Sequence, residues 1–208
     1  MINNNVLSLH EVCDIKHGYA FKGEFFCDTP TDYILTTPGN FSIGGGFQTG
    51  KPKYYNGPIP KTFLLNEGDL IVTMTDLSKQ GDTLGYSALV PNNRYLHNQR
   101  IGLVVMKSKK VLKEYVYWIM RTSDYQKYIV NHASGSTVKH TSPKSILSYK
   151  VNIPSLNTQF SIVSILQSLD AKIQLNKMLN HHLTGSRSAT DSSPDISFGS
   201  KVSRRAAR

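Results

Sequence analysis

Long hydrophobic runs and cysteines are scarce in this sequence. The longest apolar run, residues 101–106, is far shorter than the roughly 18 residues that a membrane-spanning helix needs. The first residues, MINNNVLSLHE, contain no basic region followed by an apolar core, which is the pattern of a secretory signal. The two cysteines, Cys13 and Cys27, are therefore expected to be free thiols. These features predict a cytoplasmic protein.

Acidic residues are also few. The 14 Asp and Glu residues oppose 24 Lys and Arg residues, which gives a net charge of +10 over 208 residues. Residues 185–208 hold five basic and two acidic side chains, so +3 of the excess lies there and +7 remains on residues 1–184. Such a charge favours nucleic acid or another polyanion as partner. The alternative is a basic protein without a polyanionic ligand.

Signatures of catalysis and metal binding are missing or incomplete. No Cys or His pair has the spacing of a metal site, and no serine lies in a G-x-S-x-G turn. Residues 45–51 fit the phosphate-loop pattern G-x-x-x-x-G-K, but Pro52 stands where a Ser or Thr would hold magnesium. The next residues, PKYYNGPIP, cannot form the helix that such a loop requires. The sequence therefore predicts no catalytic residue, metal or cofactor on this chain.

Hydrophobic patterns predict an α+β fold. β-Branched or apolar runs predict strands at residues 33–37, 70–75, 86–91, 100–107 and 149–153. Apolar residues at helical spacing predict one or two helices within 112–133, and Pro143 begins a short helical turn. Residues 6–15 fit either a strand or a short helix. We expect a globular domain with a twisted, mainly antiparallel or mixed sheet and a few helices, followed by a long protruding C-terminal helix.

The predicted helix occupies residues 154–184, after a globular domain at 1–153. Residues spaced by four and three form a heptad seam, in which asparagines would fix register and partner; the seam consists of Ile162, Leu166, Leu169, Ile173, Asn176, Asn180 and Leu183. About 27 residues give roughly 40 Å of helix. The helix either packs on its own core or forms an arm that pairs with another helix.

The last segment, residues 185–208, changes character. It is Ser-rich and has no hydrophobic period, so we expect disorder. Its opening GSRS suggests vector-encoded residues or a frameshifted end.

Four features recur in order and together resemble a known family. They are LSLHEVCDIKHGYAFKGEFF, LLNEGDLIVTMT followed by LGYSALVPNNRYLHNQRIGLVV, ASGSTVKHTSPKSILSYKVNIPSLNTQFSIVSILQSLDAKI, and the trailing helix. Within them Gly18–Phe21 matches G-x-x-F, Gly68–Val72 matches the family's G-D strand, and Asn98–Gln99 matches N-Q before a strand. The helix entry fits I-P-x-x-x-x-Q-x-x-I-(V/A)-x-I-L-x-x-L-D-x-x-I through residues 153–173. Over residues 6–183 the chain resembles the specificity subunit of type I restriction–modification systems. It looks like one half of that subunit, with one target recognition domain and one conserved helix.

The resemblance implies a function in DNA recognition without catalysis. In this family each recognition domain reads a short half-site in the major groove, and paired antiparallel helices hold two domains apart over a bipartite target. Methyltransferase subunits dock on these helices, and an endonuclease/translocase subunit joins them. S-adenosylmethionine, ATP and Mg are then expected on those partner subunits. No second copy of GDLIV or QFSIVSIL is found, so the chain is expected to be a half-subunit that forms a homodimer, or a fragment.

Four polar clusters are the predicted DNA contacts. Cations beside aromatic rings suit phosphate and sugar contact, while a glutamine pairs with adenine and a lysine with guanine. The clusters are Lys51, Lys53, Tyr54 and Tyr55; Ser78, Lys79 and Gln80; Asn98, Gln99 and Arg100; and Ser136, Thr137, Lys139 and His140. Each cluster has the alternative interpretation of a solvated turn, and Asn98 and Gln99 could instead hold their own loop in shape.

Two rival functions remain at the level of sequence. A helical-arm module that binds protein would keep its affinity after charge reversal at Lys79 or Lys139. A metal-dependent enzyme acting on nucleic acid would need an acidic cluster, for which the residues near candidate loops are Asp14, Glu67, Asp69, Asp76 and Asp82.

Overall fold

A computed structural model gives the fold of the chain. It describes residues 6–78 and 80–190, with side chains as far as residue 180. The chain forms two compact units, residues 1–164 and 165–208.

The first unit contains twelve short strands among the described residues. They are β1 Val6–Ser8, β2 Cys13–His17, β3 Phe26–Cys27, β4 Ile34–Leu35, β5 Tyr54–Tyr55, β6 Leu70–Thr73, β7 Thr75–Asp76, β8 Ser87–Leu89, β9 Tyr95–Leu96, β10 Ile101–Met106, β11 Lys139–His140 and β12 Lys150–Asn152. The α-helices are α1 Leu9–Val12, α2 Lys113–Ile119, α3 Ser123–Asn131, α4 Pro143–Leu147 and α5 Leu156–Thr190.

The main sheet is antiparallel, in the order β2-β10-β6-β8. All four residues of β6 are buried, as the β-branched run LIVT predicts for a strand covered on both faces. One core lies against α1, α2 and α3 and includes Val72, Tyr125 and Ile129. Packing on both faces makes this sheet the scaffold from which the loops emerge.

A second four-stranded sheet has the order β3-β5-β4-β9, with β4 and β9 parallel and the other pairs antiparallel. The mainly antiparallel, mixed arrangement confirms the predicted fold class. Two further pairs complete the strands: β1 with β12, and β7 with β11, both antiparallel.

Most predicted elements are present, the strands with ends that differ by one or two residues, and two regions differ further. Residues 6–15 form strand, helix and strand in succession, because Ser8 and Glu11 make a capping box that starts α1. The helix predicted to end at 184 continues to Thr190. Once nucleated, a helix gains one hydrogen bond for each added residue, so the Ser-rich start of the expected tail extends it. The remaining tail, 191–208, lies outside the described residues.

The start of α5 is fixed by a buried glutamine. Gln159 is fully buried; its Oε1 accepts from the Leu112 N–H at 2.9 Å. Its Nε2 donates to the carbonyls of Lys110 at 3.0 Å and Pro154 at 2.9 Å. Val163, one turn later, is also buried. The first turns of α5 are therefore part of the globular core.

Both cysteines are free thiols, as expected. Burial raises the pKa of the Cys13 thiol to about 12. Within the part of the chain that the structure describes, no helix is long and apolar enough to cross a membrane.

Candidate nucleic-acid interface

Two of the predicted clusters are joined by the pairing of β7 with β11. Lys139 lies opposite Asp76, and His140 lies opposite Thr75. The Thr75 Oγ1 and His140 Nδ1 atoms are 3.1 Å apart, which is hydrogen-bond distance. The loops at 76–83 and 134–141, far apart in sequence, therefore lie side by side.

Met74 joins a third cluster to these two. Its backbone N–H donates to the Arg100 carbonyl at 3.0 Å, and its carbonyl accepts from the Thr141 N–H at 3.0 Å. Three of the four predicted clusters thus share one surface. We call it the three-loop surface, formed by residues 75–78, 80, 98–100 and 136–141. Lys79 lies outside the described residues.

The side chains of this surface differ in their exposure. Those exposed to solvent are Gln80, Gln99, Arg100, Ser136, Thr137 and His140, whereas Ser78, Asn98 and Lys139 are half-buried. The Ser78 hydroxyl accepts from the Gly81 N–H at 3.0 Å and the Asp82 N–H at 2.9 Å, so it shapes its own loop while its proton stays able to donate.

Asp76 organises the loop that carries Ser78 and Gln80. Its carboxylate accepts from the N–H of Ser78 at 2.7 Å and from both the N–H and the hydroxyl of Thr83. Burial alone would raise the pKa of Asp76, but these hydrogen bonds outweigh it and the pKa is lowered. The charged carboxylate is therefore the centre of the loop 76–83.

The Asn98–Arg100 loop is held by the N-terminal G-x-x-F stretch. The N–H of Tyr19 donates to the His97 carbonyl at 2.8 Å, and the N–H of Gln99 donates to the Tyr19 carbonyl at 3.0 Å. A Cβ on Gly18 would lie 2.1 Å from the Asn98 carbonyl oxygen, so only glycine permits this close approach. Asn98 Oδ1 also accepts from the Gln99 N–H. Asn98 therefore has the loop-shaping contact of the alternative interpretation, while Gln99 and Arg100 project to solvent.

His97, directly before this loop, is buried and neutral. Its Nε2 donates to the Ile101 carbonyl at 2.9 Å. Burial lowers its pKa, against smaller opposing contributions from this hydrogen bond and from Asp69. Below about pH 6.5 there is therefore a range of pH in which His97 is protonated in the unfolded chain but not in the folded chain.

We expect the free energy of unfolding to fall as pH decreases from about 7 through 6.5 towards the lowered pKa of His97. Stability rises with pH in this window because the unfolded state binds more protons. Denaturant titrations between pH 5 and 7.5 measure this slope. His97→Gln should flatten it, whereas His10→Gln, a change at an exposed histidine, should preserve it. An unchanged slope in His97→Gln would contradict the assignment.

The fourth predicted cluster, residues 51–55, divides between surface and core. Lys51 and Lys53 are exposed, and the Lys53 ammonium lies 4.4 Å from the centroid of the Phe26 ring. Tyr54 is half-buried, but Tyr55 is only 2% exposed and packs edge-on against Phe21 at 5.0 Å between ring centroids. The prediction that Tyr55 contacts DNA is therefore wrong, because its ring belongs to an aromatic core.

A groove beside the three-loop surface was missed by sequence reasoning. It has a volume of about 510 Å³ and lies between the segment 38–48 and the loop 76–83. Ile43 and Leu77 line it and are 75% and 69% exposed, the highest values among large hydrophobic side chains of the described residues. The only feature of the sequence that pointed to this groove was the glycine run at 44–46, which has no function once the phosphate-loop interpretation is rejected. Lys51 is followed by a proline and then β5, so the phosphate-loop interpretation stays rejected.

The predicted helical seam is progressively exposed along α5. Ile162 and Leu166 are half-buried, whereas Leu169 and Ile173 are each 50% exposed. Asn176 and Asn180 are exposed, and the side chain of Leu183 lies outside the described residues. In the second unit, four more apolar side chains of the helix are exposed by half or more: Ile165, Leu175, Met178 and Leu179.

No group of three or more His, Cys, Asp or Glu side chains with metal-binding geometry occurs in residues 6–78 and 80–180. Asp14 instead forms an ion pair with Lys107 at 3.2 Å. Asp69 accepts from the Asn66 N–H at 2.9 Å, and Asp76 is the loop centre described above. Three of the five acidic candidates for an enzymatic site therefore have structural partners.

Solved structures share this fold. One, from a study of complex assembly and conformational transition of the type I R-M system, superposes with a TM-score of 0.60 over 89% of this chain and 43% of that chain, at 12% identity. The type I restriction–modification S subunit from M. genitalium gives a TM-score of 0.56 over 92% of this chain and 48% of that chain, at 16% identity. The fold of this chain is therefore similar to that of a solved S subunit.

Sequence relatives agree with the structural ones. The specificity subunit of the type I restriction enzyme MjaVIII of Methanocaldococcus jannaschii is 23% identical over 83% of this chain and 40% of its own length. That of EcoBI of Escherichia coli is 27% identical over 84% of this chain and 36% of its own length. Residues 1–184 match the type I restriction modification DNA specificity domain, and the chain belongs to this family. It spans less than half the length of these relatives.

Proposed function

We propose that this chain is the DNA-reading part of a type I restriction–modification complex and recognises one half of a bipartite target. The observation that carries the proposal is the pairing of β7 with β11 together with the hydrogen bonds of Met74 to Arg100 and Thr141, through which three polar loops lie on one surface in a domain of the DNA specificity family. The net charge of +10 supports a polyanionic partner.

Base reading is assigned to the exposed tips of the three-loop surface. Gln80 and Gln99 have the amide geometry for adenine, and Arg100 has the paired donors for guanine. Lys51, Lys53 and Lys139 supply contacts to phosphates, which fix position without specifying sequence. Lys79, Ser136, Thr137 and His140 remain proposed contacts on the same loops.

The long helix α5 is proposed as the pairing element. Two copies associate through the seam from Ile162 to Leu183, whose exposed apolar residues would be buried by a second helix. This seam spans about 32 Å at 1.5 Å per residue, close to the roughly 34 Å of one DNA turn. Two half-site readers related by a two-fold axis would then meet the same face of the duplex.

Catalysis is assigned to partner subunits in the cytoplasm. A methyltransferase subunit would bring S-adenosylmethionine, and an endonuclease/translocase subunit would bring ATP and magnesium. This chain would supply only the recognition of the DNA target.

Co-expression with the methyltransferase subunit of the same system, followed by mapping of methylated bases in the host genome, tests the proposal. We expect methylation at one bipartite sequence. An interrupted palindrome would support a symmetric pair, and an asymmetric site would support a different second recognition domain. A stable complex that methylates no defined sequence would count against DNA reading.

A matched pair of charge reversals sharpens this experiment. Lys139→Glu changes the three-loop surface, while Lys109→Glu makes the same charge change at an exposed position before α2. Lys139→Glu should reduce methylation at least tenfold while the subunits still co-purify, and Lys109→Glu should leave it unchanged. Equal methylation by both variants would favour a protein-binding module.

A further inference from the structure

The apolar side chains of the groove beside the three-loop surface lie on backbone segments that hydrogen bonds hold in place. Gly44, Gly45 and Gly46 have φ values of 86°, 83° and 95°, which side chains other than glycine rarely adopt. The Gly44 carbonyl accepts from Arg121 Nε at 2.8 Å, and the Gly46 N–H donates to the Ser87 carbonyl at 2.8 Å. This turn carries Ile43 at its start, so Ile43 is exposed on a fixed backbone rather than on a loose loop.

Leu77, on the other side of the groove, is fixed equally well. It lies between Asp76 and Ser78, and the Asp76 carboxylate binds the backbone on both sides of the loop. Two large apolar side chains held in water at adjacent rigid turns contribute nothing to the core. Both side chains line the same groove, so they are the apolar part of a surface that another molecule could contact.

Two of the polar side chains that line the groove beside this pair, Gln48 and Asp76, are engaged within the protein, whereas Ser78 and Asp82 also line it. Gln48 Nε2 donates to the carbonyls of Gly39 at 3.0 Å and Phe41 at 3.3 Å. The Asp76 carboxylate is directed to its own loop, as described above. Ile43 and Leu77 are therefore suited to recognition by apolar contact rather than by hydrogen bonds.

Only one apolar group stands on the base edges of the major groove, the C5-methyl group of thymine. We propose that Ile43 and Leu77 enclose the methyl group of one thymine and so specify an A·T pair within the half-site. The proposal rests on the DNA-reading function and names one specificity determinant for it. In this proposal an apolar contact to a base complements the polar contacts made by the side chains of the three loops.

The lining of the groove carries two carboxylates, Asp76 and Asp82, of which Asp76 is held by its own loop, and the cations that would suit a duplex, Lys51 and Lys139, lie beside the lining. Lys51 follows Gly50, and a Cβ on Gly50 would lie 3.5 Å from the Gly39 carbonyl at the rim. Lys139 reaches the other side, because a Cβ on Gly81 would lie 3.7 Å from its Cγ. These cations would contact phosphates while the apolar pair contacts the base.

Uracil substitution tests the contact without altering the protein. Uracil lacks only the C5-methyl group of thymine and keeps its hydrogen-bonding edge. Duplexes carrying the mapped target, with each thymine of the half-site replaced singly by uracil, are titrated with the purified methyltransferase complex. One replacement should weaken binding about fourfold, the effect of one buried methyl group.

The variants Ile43→Ala and Leu77→Ala should bind the unmodified duplex at least fourfold more weakly and should no longer distinguish uracil from thymine at that position. Val6→Ala removes apolar surface from another exposed side chain, 53% exposed on β1, and should retain the wild-type discrimination. Thermal unfolding of each variant establishes that it is folded.

Three results of the target mapping and the DNA titrations would overturn the proposal. They are a half-site without an A·T pair, wild-type binding that no uracil replacement weakens, and discrimination that persists in Ile43→Ala and Leu77→Ala. Loss of methyltransferase binding in these variants would instead assign the groove to a protein partner, and would overturn it too. Failure of DNA reading itself is distinguishable, because no target would then be mapped.

Discussion

Replacing Gln159 by alanine is expected to lower the free energy of unfolding by about 3 kcal/mol, because three partly buried backbone groups would lose the fully buried side chain that is their partner. These groups are the N–H of Leu112 and the carbonyls of Lys110 and Pro154. Each unsatisfied buried group costs roughly 1–3 kcal/mol, and partial access of water to the gap would reduce the total. Urea titration monitored by circular dichroism measures the change.

Gln167→Ala is the matched control, because Gln167 is an exposed glutamine on the same helix. Its effect should stay within about 0.5 kcal/mol. Gln159→Glu keeps the shape but turns a carboxylate towards two carbonyl oxygens, so it should destabilise the protein as well. A loss below about 1 kcal/mol in Gln159→Ala would mean that the hydrogen bonds do not fix the start of α5.

Replacing Asp76 by alanine is expected to reduce affinity for the mapped DNA target at least tenfold. The loop 76–83 would lose the carboxylate that holds the N–H groups of Ser78 and Thr83, and ordering the loop would then oppose binding. Titration of target duplexes with the methyltransferase complex at constant salt measures the effect.

Asp28→Ala provides the control for charge. Asp28 is exposed in the segment between β3 and β4, so this variant has the same net charge as Asp76→Ala. We expect its affinity to equal or slightly exceed that of the wild type. If both variants bound equally well, the ordering of the loop by Asp76 would not contribute to DNA reading.

Because the pKa of Asp76 is lowered, the free energy of unfolding depends on pH in a direction that can be stated. The carboxylate stabilises the folded state above the unfolded pKa of about 3.9, and this contribution is lost as pH falls through the lower folded value. Asp76→Ala removes this contribution at all pH values. Its stability deficit relative to the wild type should therefore shrink below pH 4.

The strands of the main sheet could be predicted because their signal is local. The run at 70–75 is β-branched and buried, and it forms β6 and β7 with an interruption at Met74. That interruption has a non-local cause, since Met74 bonds to Arg100 on one side and to Thr141 on the other. Sequence patterns do not encode such pairings, so the meeting of the three loops was not predicted.

The errors in the predicted site also come from contacts between residues that are far apart in sequence. Tyr55 beside two lysines suited a phosphate contact, but Phe21, Phe25 and Phe26, about 30 residues earlier, surround its ring. Gln159 was noticed only within a family pattern, because two of its three partners, Lys110 and Leu112, lie in a segment without a motif. Ile43 and Leu77 follow no period, and only their exposure in the folded chain identifies them.

The pairing of β1 with β12 has a consequence for how such domains are combined. Val6 lies opposite Asn152, so the chain enters and leaves the globular domain through neighbouring antiparallel strands. A domain whose two ends are adjacent can be spliced into a host polypeptide without threading or stretching either end. The stretch from Val6 to Asn152 thus has adjacent ends, and under the proposed DNA-reading function its exchange as one continuous stretch of gene would change the DNA target, while the start of α5 stays part of the same core.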